Sequence, residues 1–196
     1  MAGIYRDICE KVHAISCETM KNITDYLEKD QVDIVLEHAK ACNFRDYLML
    51  RVLWRTGMRV SELRAIRPQD LEPHNQVANV TKAKGNKQRR VMLDPETFDM
   101  LSRYVLDMNI PASRPIFTLS SVWVWKLVKK YARMAGLPDK IHPHTFRHSF
   151  AIHLVRSGLD LRRVQQLLGH SNLNTTQVYL QFNDQDLREG YNKIEF

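Results

Sequence analysis

Cysteine is scarce in this sequence: Cys9, Cys17 and Cys42 are its three copies, all within the first 42 of 196 residues. An odd number without a pairing pattern argues against a secreted disulfide scaffold, and the spacing of Cys9 and Cys17 is not a usual zinc spacing. No apolar run is long enough to cross a membrane, and the start lacks the basic and then apolar order of a signal peptide. These absences predict a cytoplasmic protein without a membrane anchor.

Glycine and proline are also few, with seven copies each, and the chain has no internal repeat or low-complexity stretch. Residues of hydrophobic type make up 44% and charged residues 26% of the chain, values close to the average of globular proteins. This composition excludes disordered, collagen-like and coiled-coil classes. A chain of this length buries a sizeable core without disulfides, so we expect one globular domain, at most with a small appendage.

Acidic residues are under-represented in the later three quarters of the chain. The net charge is +7, with −3 on residues 1–50 and +10 on residues 51–196. Such an excess of positive charge predicts a polyanionic partner, of which nucleic acid is the commonest. A basic surface without a partner is also common, so charge alone leaves that alternative open.

Hydrophobic periodicity predicts a mainly helical chain. One predicted helix begins at Asp30 as its N-cap, and the next runs from Phe44 to a stop at Gly57. Further helices are predicted over about 4–28, 61–66, 95–108, 121–135, 144–156 and 160–168. Two more are predicted near the end of the sequence, one that carries Tyr179 and one in the tail from Asn183. The period changes to two in residues 77–81 and 89–93, which predict two strands joined by a turn at Gly85 and Asn86. The expected fold class is therefore mainly α with a small antiparallel β-sheet (α+β).

Five cations surround that turn: Lys82, Lys84, Lys87, Arg89 and Arg90. Gly85 between them allows close approach of the backbone to a ligand. One interpretation is a finger that lies along a phosphate backbone and contacts it through these side chains. The alternative is a solvated hairpin tip, and a basic hairpin alone does not decide between the two.

A cluster of histidines and an arginine lies near the start of the predicted helix at 144–156. His144 and His148 are four residues apart, the spacing of a zinc-binding pair, but no acidic residue in this helix supplies a base or a third ligand. His144 and Arg147 also share a face, and an imidazole beside a guanidinium suits a phosphate. We favour the phosphate site and keep a metal hydrolase as an alternative.

Five segments, in this order, resemble the motifs of the tyrosine recombinases, the family of phage integrases and Xer-type enzymes. Residues 56–63 (TGMRVSEL) resemble the first arginine motif, residues 84–87 (KGNK) the hairpin lysine motif, and residues 144–148 (HTFRH) the H-x-x-R box. Residues 167–171 (LLGHS) and 175–179 (TTQVY) resemble the histidine and nucleophile boxes. The intervals of 23 residues from Arg147 to His170 and nine from His170 to Tyr179 also fit. The resemblance covers about residues 30–182.

The resemblance implies a role for each matched residue. Tyr179 would attack a DNA phosphodiester to form a 3′-phosphotyrosine, which conserves the bond energy so that rejoining needs no ATP. Arg59, Arg147 and His170 would stabilise the non-bridging oxygens, and His144 would transfer a proton near the tyrosine. Lys84 would protonate the leaving 5′-oxygen, and Glu62 would orient the cationic side chains. Because these cations replace metal ions, no metal and no other cofactor are expected.

The resemblance also implies an organisation and partners. The expected parts are a short helical extension (1–29), a tyrosine-recombinase catalytic domain (30–182) and a tail (183–196) that docks on a neighbouring protomer or packs on its own domain. Most members carry a separate DNA-clamping domain, for which residues 1–29 are too short, so a minimal catalytic form is expected. The partners would be double-stranded DNA and a homotetramer on paired sites.

The expected activity is site-specific DNA recombination of the integrase or invertase type. Three alternatives remain open at this point. They are a type IB topoisomerase-like relaxation with the same chemistry, a non-catalytic DNA-binding regulator on the same fold, and the metal hydrolase built on His144 and His148.

Overall fold

The computed structural model describes residues 26–81 and 88–169. Within these ranges the chain forms helices α1 (Lys29–Cys42), α2 (Phe44–Thr56), α3 (Val60–Ala65), α4 (Pro95–Asp107), α5 (Ser121–Met134), α6 (Pro143–Arg156) and α7 (Leu161–Leu168), and strands β1 (Leu71–Glu72), β2 (Val77–Thr81) and β3 (Gln88–Met92). A short 3-10 helix, Pro68–Asp70, precedes β1. This mainly helical architecture with a small antiparallel sheet confirms the predicted fold class.

Helix α2 is the centre of the core. Residues 46–54 are all buried, as expected for a helix that is covered on every side, and α2 packs against α1, α4 and α6. Its buried polar groups are paired: Arg51 donates to Thr97 Oγ1 at 2.8 Å, and Asp46 accepts the Tyr131 hydroxyl at 2.8 Å. This burial and pairing fix α2 within the core, and with it the start of the turn that leads to α3.

The sheet has the order β1-β2-β3 and is antiparallel throughout. The two predicted strands are confirmed, the second one residue earlier at each end than expected, with Ala78 opposite Val91. Strand β1 was not predicted, because two residues are too few to show a period. Side chains along β3 and the residue after it alternate as strands require: Val91 and Leu93 are buried, whereas Met92 is 66% exposed.

The helix boundaries follow the expected capping residues with one exception. Asp94 and Asp160 cap α4 and α7 through bonds to backbone N–H groups at 3.1 and 3.0 Å. The predicted N-cap at Asp30 is wrong: Glu28, with extended backbone, precedes α1, and the Gln31 side chain accepts its N–H at 3.0 Å. Asp30 instead lies in the first turn, where an acidic side chain interacts favourably with the helix dipole.

The helix predicted over 4–28 is also wrong at its end, since residues 26–28 are not helical. The Leu27 N–H donates instead to Ser149 Oγ on α6 at 2.7 Å. Residues 1–25, the hairpin turn at 82–87 and residues 170–196, with the elements predicted there, lie outside the described residues.

No helix within the described ranges is long and apolar enough to span a membrane.

Candidate active site

The turn between α2 and α3 brings the first candidate residue, Arg59, to one corner of the domain. Gly57 ends α2 with a φ of +58°, a conformation that favours glycine. A Cβ at this position would lie 2.3 Å from Phe150 Cδ1 on α6. The glycine thus lets α6 approach the backbone of the turn closely, two residues before Arg59.

Arg147 lies on α6 at the point where this helix approaches the α2–α3 turn. One guanidinium nitrogen donates to the Gly57 carbonyl at 2.5 Å, and another donates to the Leu168 carbonyl, at the end of α7, at 2.8 Å. The residue is only 6% exposed. Arg147 therefore joins the turn that carries Arg59 to the end of α7, and these contacts connect residues 90 and 21 positions apart in sequence.

Glu62 on α3 is the acidic member of this corner. Its carboxylate accepts the Arg59 backbone N–H at 2.8 Å and a guanidinium N–H of Arg59 at 3.1 Å. It also accepts two bonds from Arg89, at 2.8 and 3.3 Å. With 4% exposure, the carboxylate is bonded to two arginines, an arrangement compatible with the orienting role that the resemblance implies for it.

Two opposing effects set the pKa of Glu62. Burial raises it, but the hydrogen bonds from Arg89 and from the Arg59 backbone, with the charges of both arginines, outweigh burial and hold the pKa below its ordinary value. The carboxylate is consequently ionised at neutral pH, as a group that orients cations must be.

Arg59 differs from the other charged groups of the corner in its exposure. Its side chain is 37% exposed, compared with 4% for Glu62. The guanidinium of Arg59 therefore reaches solvent, while its bond to the buried Glu62 restrains it on the protein side. This geometry suits the binding of an anion from solvent.

Arg89, which the hairpin sequence predicts to contact DNA alongside Arg90, points into the protein instead. Its side chain is only 9% exposed and is paired with Glu62. The reason is strand alternation: neighbouring residues of β3 point to opposite faces, and Arg89 shares the inner face with Val91. Arg90 points outward, with its side chain 59% exposed and 2.7 Å from Glu72. In the sequence, the period-two pattern of Arg89, Val91 and Leu93 identifies Arg89 as the arginine that points inward.

His144 lies on the same helix as Arg147, one turn earlier, and is exposed. Its ring lies edge-on to that of His142, with centroids 6.0 Å apart. Burial lowers the pKa of His142, and the charges of His144 and Lys129 lower it further, so His142 stays neutral at neutral pH. His144 is thus the solvent-facing imidazole of this helix start.

The predicted alternative of a metal pair on α6 has no third ligand in the part of the chain that the structure describes. There, no three histidine, cysteine or acidic side chains are grouped so as to hold a metal ion. His148 packs instead against Tyr26, with ring centroids 6.4 Å apart.

The remaining predicted site residues lie outside the described residues: Lys82, Lys84, Lys87, His170 and Tyr179. The described chain ends at Gly169, directly before His170 in sequence. Of the predicted set, the structure thus brings Arg59, Glu62 and Arg147 together at the α2–α3 turn and places His144 one helical turn from Arg147.

The family model described as the phage integrase family matches residues 25–186, most of the chain. This chain belongs to the phage integrase family of tyrosine recombinases. The resemblance drawn from the five sequence motifs is therefore confirmed. Arg59, Glu62, Arg89 and Arg147 all lie within the matched region.

Individual relatives agree with this assignment. A tyrosine recombinase of Pseudothermotoga lettingae is 39% identical over 178 residues, which cover 89% of this chain. This chain spans only 62% of that relative's length. The crystal structure of XerA recombinase matches with a TM-score of 0.78 and 30% identity, covering 91% of this chain and 68% of that one. XerH site-specific recombinase, bound to its difH substrate in a pre-cleavage complex, matches with a TM-score of 0.73 and 26% identity over 91% of this chain and 57% of that one.

Proposed function

We propose that this chain carries the catalytic centre of a site-specific DNA recombinase, which breaks and rejoins DNA through a 3′-phosphotyrosine at Tyr179 without metal or ATP. The observation that supports it best is the position of two arginines at the α2–α3 turn. Arg147 is anchored on the Gly57 carbonyl, two residues before Arg59, and Glu62 restrains Arg59. Arg59 and Arg147, from distant parts of the chain, thus both lie at one turn. Such a pair suits the non-bridging oxygens of a phosphodiester.

Each remaining step of the proposed reaction has a residue of suitable chemistry. The Tyr179 oxygen forms a bond to phosphorus as the bond to the 5′-oxygen breaks, and Lys84 gives that oxygen its proton. Arg59, Arg147 and His170 stabilise the additional negative charge of the transition state. His144, exposed at the start of α6, accepts or returns the tyrosine proton. Rejoining is the same sequence reversed.

The proposal includes the partners expected from the sequence. The substrate would be double-stranded DNA, and the working assembly a homotetramer on two paired sites, with the tail at 183–196 docked on a neighbouring protomer. A cytoplasmic location fits such a substrate. XerH, whose structure includes its difH substrate, supports DNA as the class of partner.

Covalent trapping tests the proposal directly. Nicked duplexes that lose a short 5′-hydroxyl fragment after cleavage should accumulate a protein–DNA adduct, in the presence of EDTA as well, because arginines and lysine supply the cationic charge. Digestion and mass spectrometry should place the nucleotide on the peptide with Tyr179. An adduct absent on every candidate site, or formed only with added Zn²⁺, would contradict the proposal.

Two marked DNA sites then distinguish recombination from relaxation. Strand exchange between the two marked sites is expected of a recombinase. Relaxation of supercoiled DNA without any exchanged product would instead indicate a topoisomerase-like activity.

The affinity for DNA should depend steeply on salt. Each neutralised phosphate contributes a slope of about −0.9 to the plot of log affinity against log salt concentration. Replacing the outward Arg90, or Lys87, with alanine should reduce that slope by about one phosphate contact. Fluorescence anisotropy at several salt concentrations measures it, and an affinity that does not change with salt would exclude the basic hairpin as a DNA contact.

A further inference from the structure

We propose that Arg89 is a positioning residue of the recombinase reaction, which holds the end of α7, directly before His170 in sequence, against the Glu62–Arg59 pair. This inference rests on the proposed function, and it assigns Arg89 an internal role in place of the DNA contact that the hairpin sequence indicates. Three observations carry it: the bonds of its guanidinium, its contact with Gly169, and its burial.

The guanidinium of Arg89 bridges two elements through all three of its nitrogens. Nε and one terminal nitrogen donate to the two oxygens of Glu62, at 3.3 and 2.8 Å. The other terminal nitrogen donates to the Leu167 carbonyl in the last turn of α7. Carbonyls in that turn lack hydrogen-bond donors within the helix and form the negative end of its dipole. A guanidinium there therefore supplies a donor and a favourable positive charge.

The stem of Arg89 packs against Gly169. A Cβ on Gly169 would lie 2.6 Å from Arg89 Cδ and 3.2 Å from its Nε, and the φ of this glycine is +65°. Since Arg89 is fixed by its bonds at the far end, the stem has little room to move away. The arginine and the glycine thus form one packed unit immediately before His170.

Arg147 reaches the same helix end from the other side. It donates to the Leu168 carbonyl, so adjacent carbonyls of α7 are held by arginines from β3 and from α6. Through Glu62, Arg89 also restrains Arg59. The end of α7 and both predicted phosphate-binding arginines are consequently one connected network, in which Arg89 links Glu62 to α7.

Arginine is required for this link because lysine has a single nitrogen. A lysine at position 89 keeps the charge but cannot bond both Glu62 oxygens and the Leu167 carbonyl with a fixed fork geometry. We therefore expect Arg89→Lys to rescue only part of what Arg89→Ala loses.

The experiment measures the rate of adduct formation at saturating DNA, together with DNA affinity and its salt slope, for wild type, Arg89→Ala and Arg89→Lys. A displaced catalytic group costs about 10²-fold in rate, which is the loss expected for Arg89→Ala. The salt slope should not change, because this side chain contacts no phosphate. An undiminished rate, or a slope reduced as in Arg90→Ala, would overturn the proposal.

Arg133→Ala is the matched control. Arg133 forms a forked pair with Asp139, at 2.7 and 3.2 Å, but on the surface, with its side chain 65% exposed. Its removal should change neither the rate nor the slope. A loss in this variant equal to that in Arg89→Ala would attribute both to general destabilisation and overturn the positioning role.

Amide hydrogen exchange decides the proposal independently of activity. In Arg89→Ala, exchange should accelerate in peptides that cover 165–169 and stay unchanged in α4, because the end of α7 loses an anchor and the bonds of Arg89 to Glu62 and Leu167 do not involve α4. Unchanged exchange at 165–169 would overturn the positioning role even in an active enzyme. Absence of an adduct in wild type would overturn the proposed function instead, and the exchange result would still stand.

Discussion

Phenylalanine in place of Tyr179 is expected to abolish the covalent protein–DNA adduct while leaving DNA affinity near that of wild type. The substitution removes one oxygen and little packing volume. Without that oxygen no bond to phosphorus forms, even though Arg59 and Arg147 remain in place. Gel separation of the adduct on a nicked duplex measures the first effect, and fluorescence anisotropy measures the second.

Tyr191→Phe is the matched control for this result. Tyr191 is the next tyrosine in sequence after Tyr179 and is the other candidate nucleophile in the C-terminal part of the chain. Its variant should form the adduct at the wild-type rate. The reverse pattern, an adduct kept in Tyr179→Phe and lost in Tyr191→Phe, would reassign the nucleophile.

The sequence predicted most elements of the fold because their ends carry strong local signals. Gly57 and Gly169 end α2 and α7 with positive φ, and Asp94 and Asp160 cap α4 and α7, all as expected from residue type alone. The signal fails where an alternative of similar strength lies nearby. Glu28 rather than Asp30 caps α1, since both residues precede the same apolar face and only the fold decides where the first turn begins.

The candidate site was predicted unevenly, for a physical reason. Arg59 is the N-cap of α3 and Glu62 follows three residues later in its first turn, so their pairing follows from sequence spacing. The bonds from Arg147 to the Gly57 and Leu168 carbonyls cross 90 and 21 residues and depend on how α6 packs. Motif resemblance identified Arg147, but no local pattern predicts its backbone partners.

Arg89 shows how a local rule can be overlooked. Five cations around one turn suggested a single DNA-contacting surface, although two of them are neighbours on a strand. Alternation then sends one of the two inward, where Glu62 is placed to receive it. Of these two neighbours, Arg90 thus lies on the outer face of the hairpin and Arg89 lies in the inner network with Glu62.

Lys84→Ala is expected to slow cleavage of ordinary DNA by about 10²–10⁴-fold, the range typical of a lost general acid. Breaking the bond between phosphorus and the 5′-oxygen leaves an alkoxide. Alkoxides are poor leaving groups, because their conjugate acids are very weak, about as weak as water. A lysine that donates its proton as the bond breaks removes this difficulty, so its loss should be costly. Single-turnover cleavage of a nicked duplex measures the rate.

Sulfur in place of the bridging 5′-oxygen turns this expectation into a test of role. The leaving group is then a thiolate, whose conjugate thiol has a pKa of about 8.5 by the cysteine reference, and it departs without a proton. On this substrate Lys84→Ala should cleave nearly as fast as wild type. Arg147→Ala should stay slow, because the proposed partners of Arg147 are non-bridging oxygens, which the sulfur leaves unchanged. Rescue of neither variant would make Lys84 a positioning cation, and Lys82 or Lys87 would then be tested as the acid on the same pair of substrates.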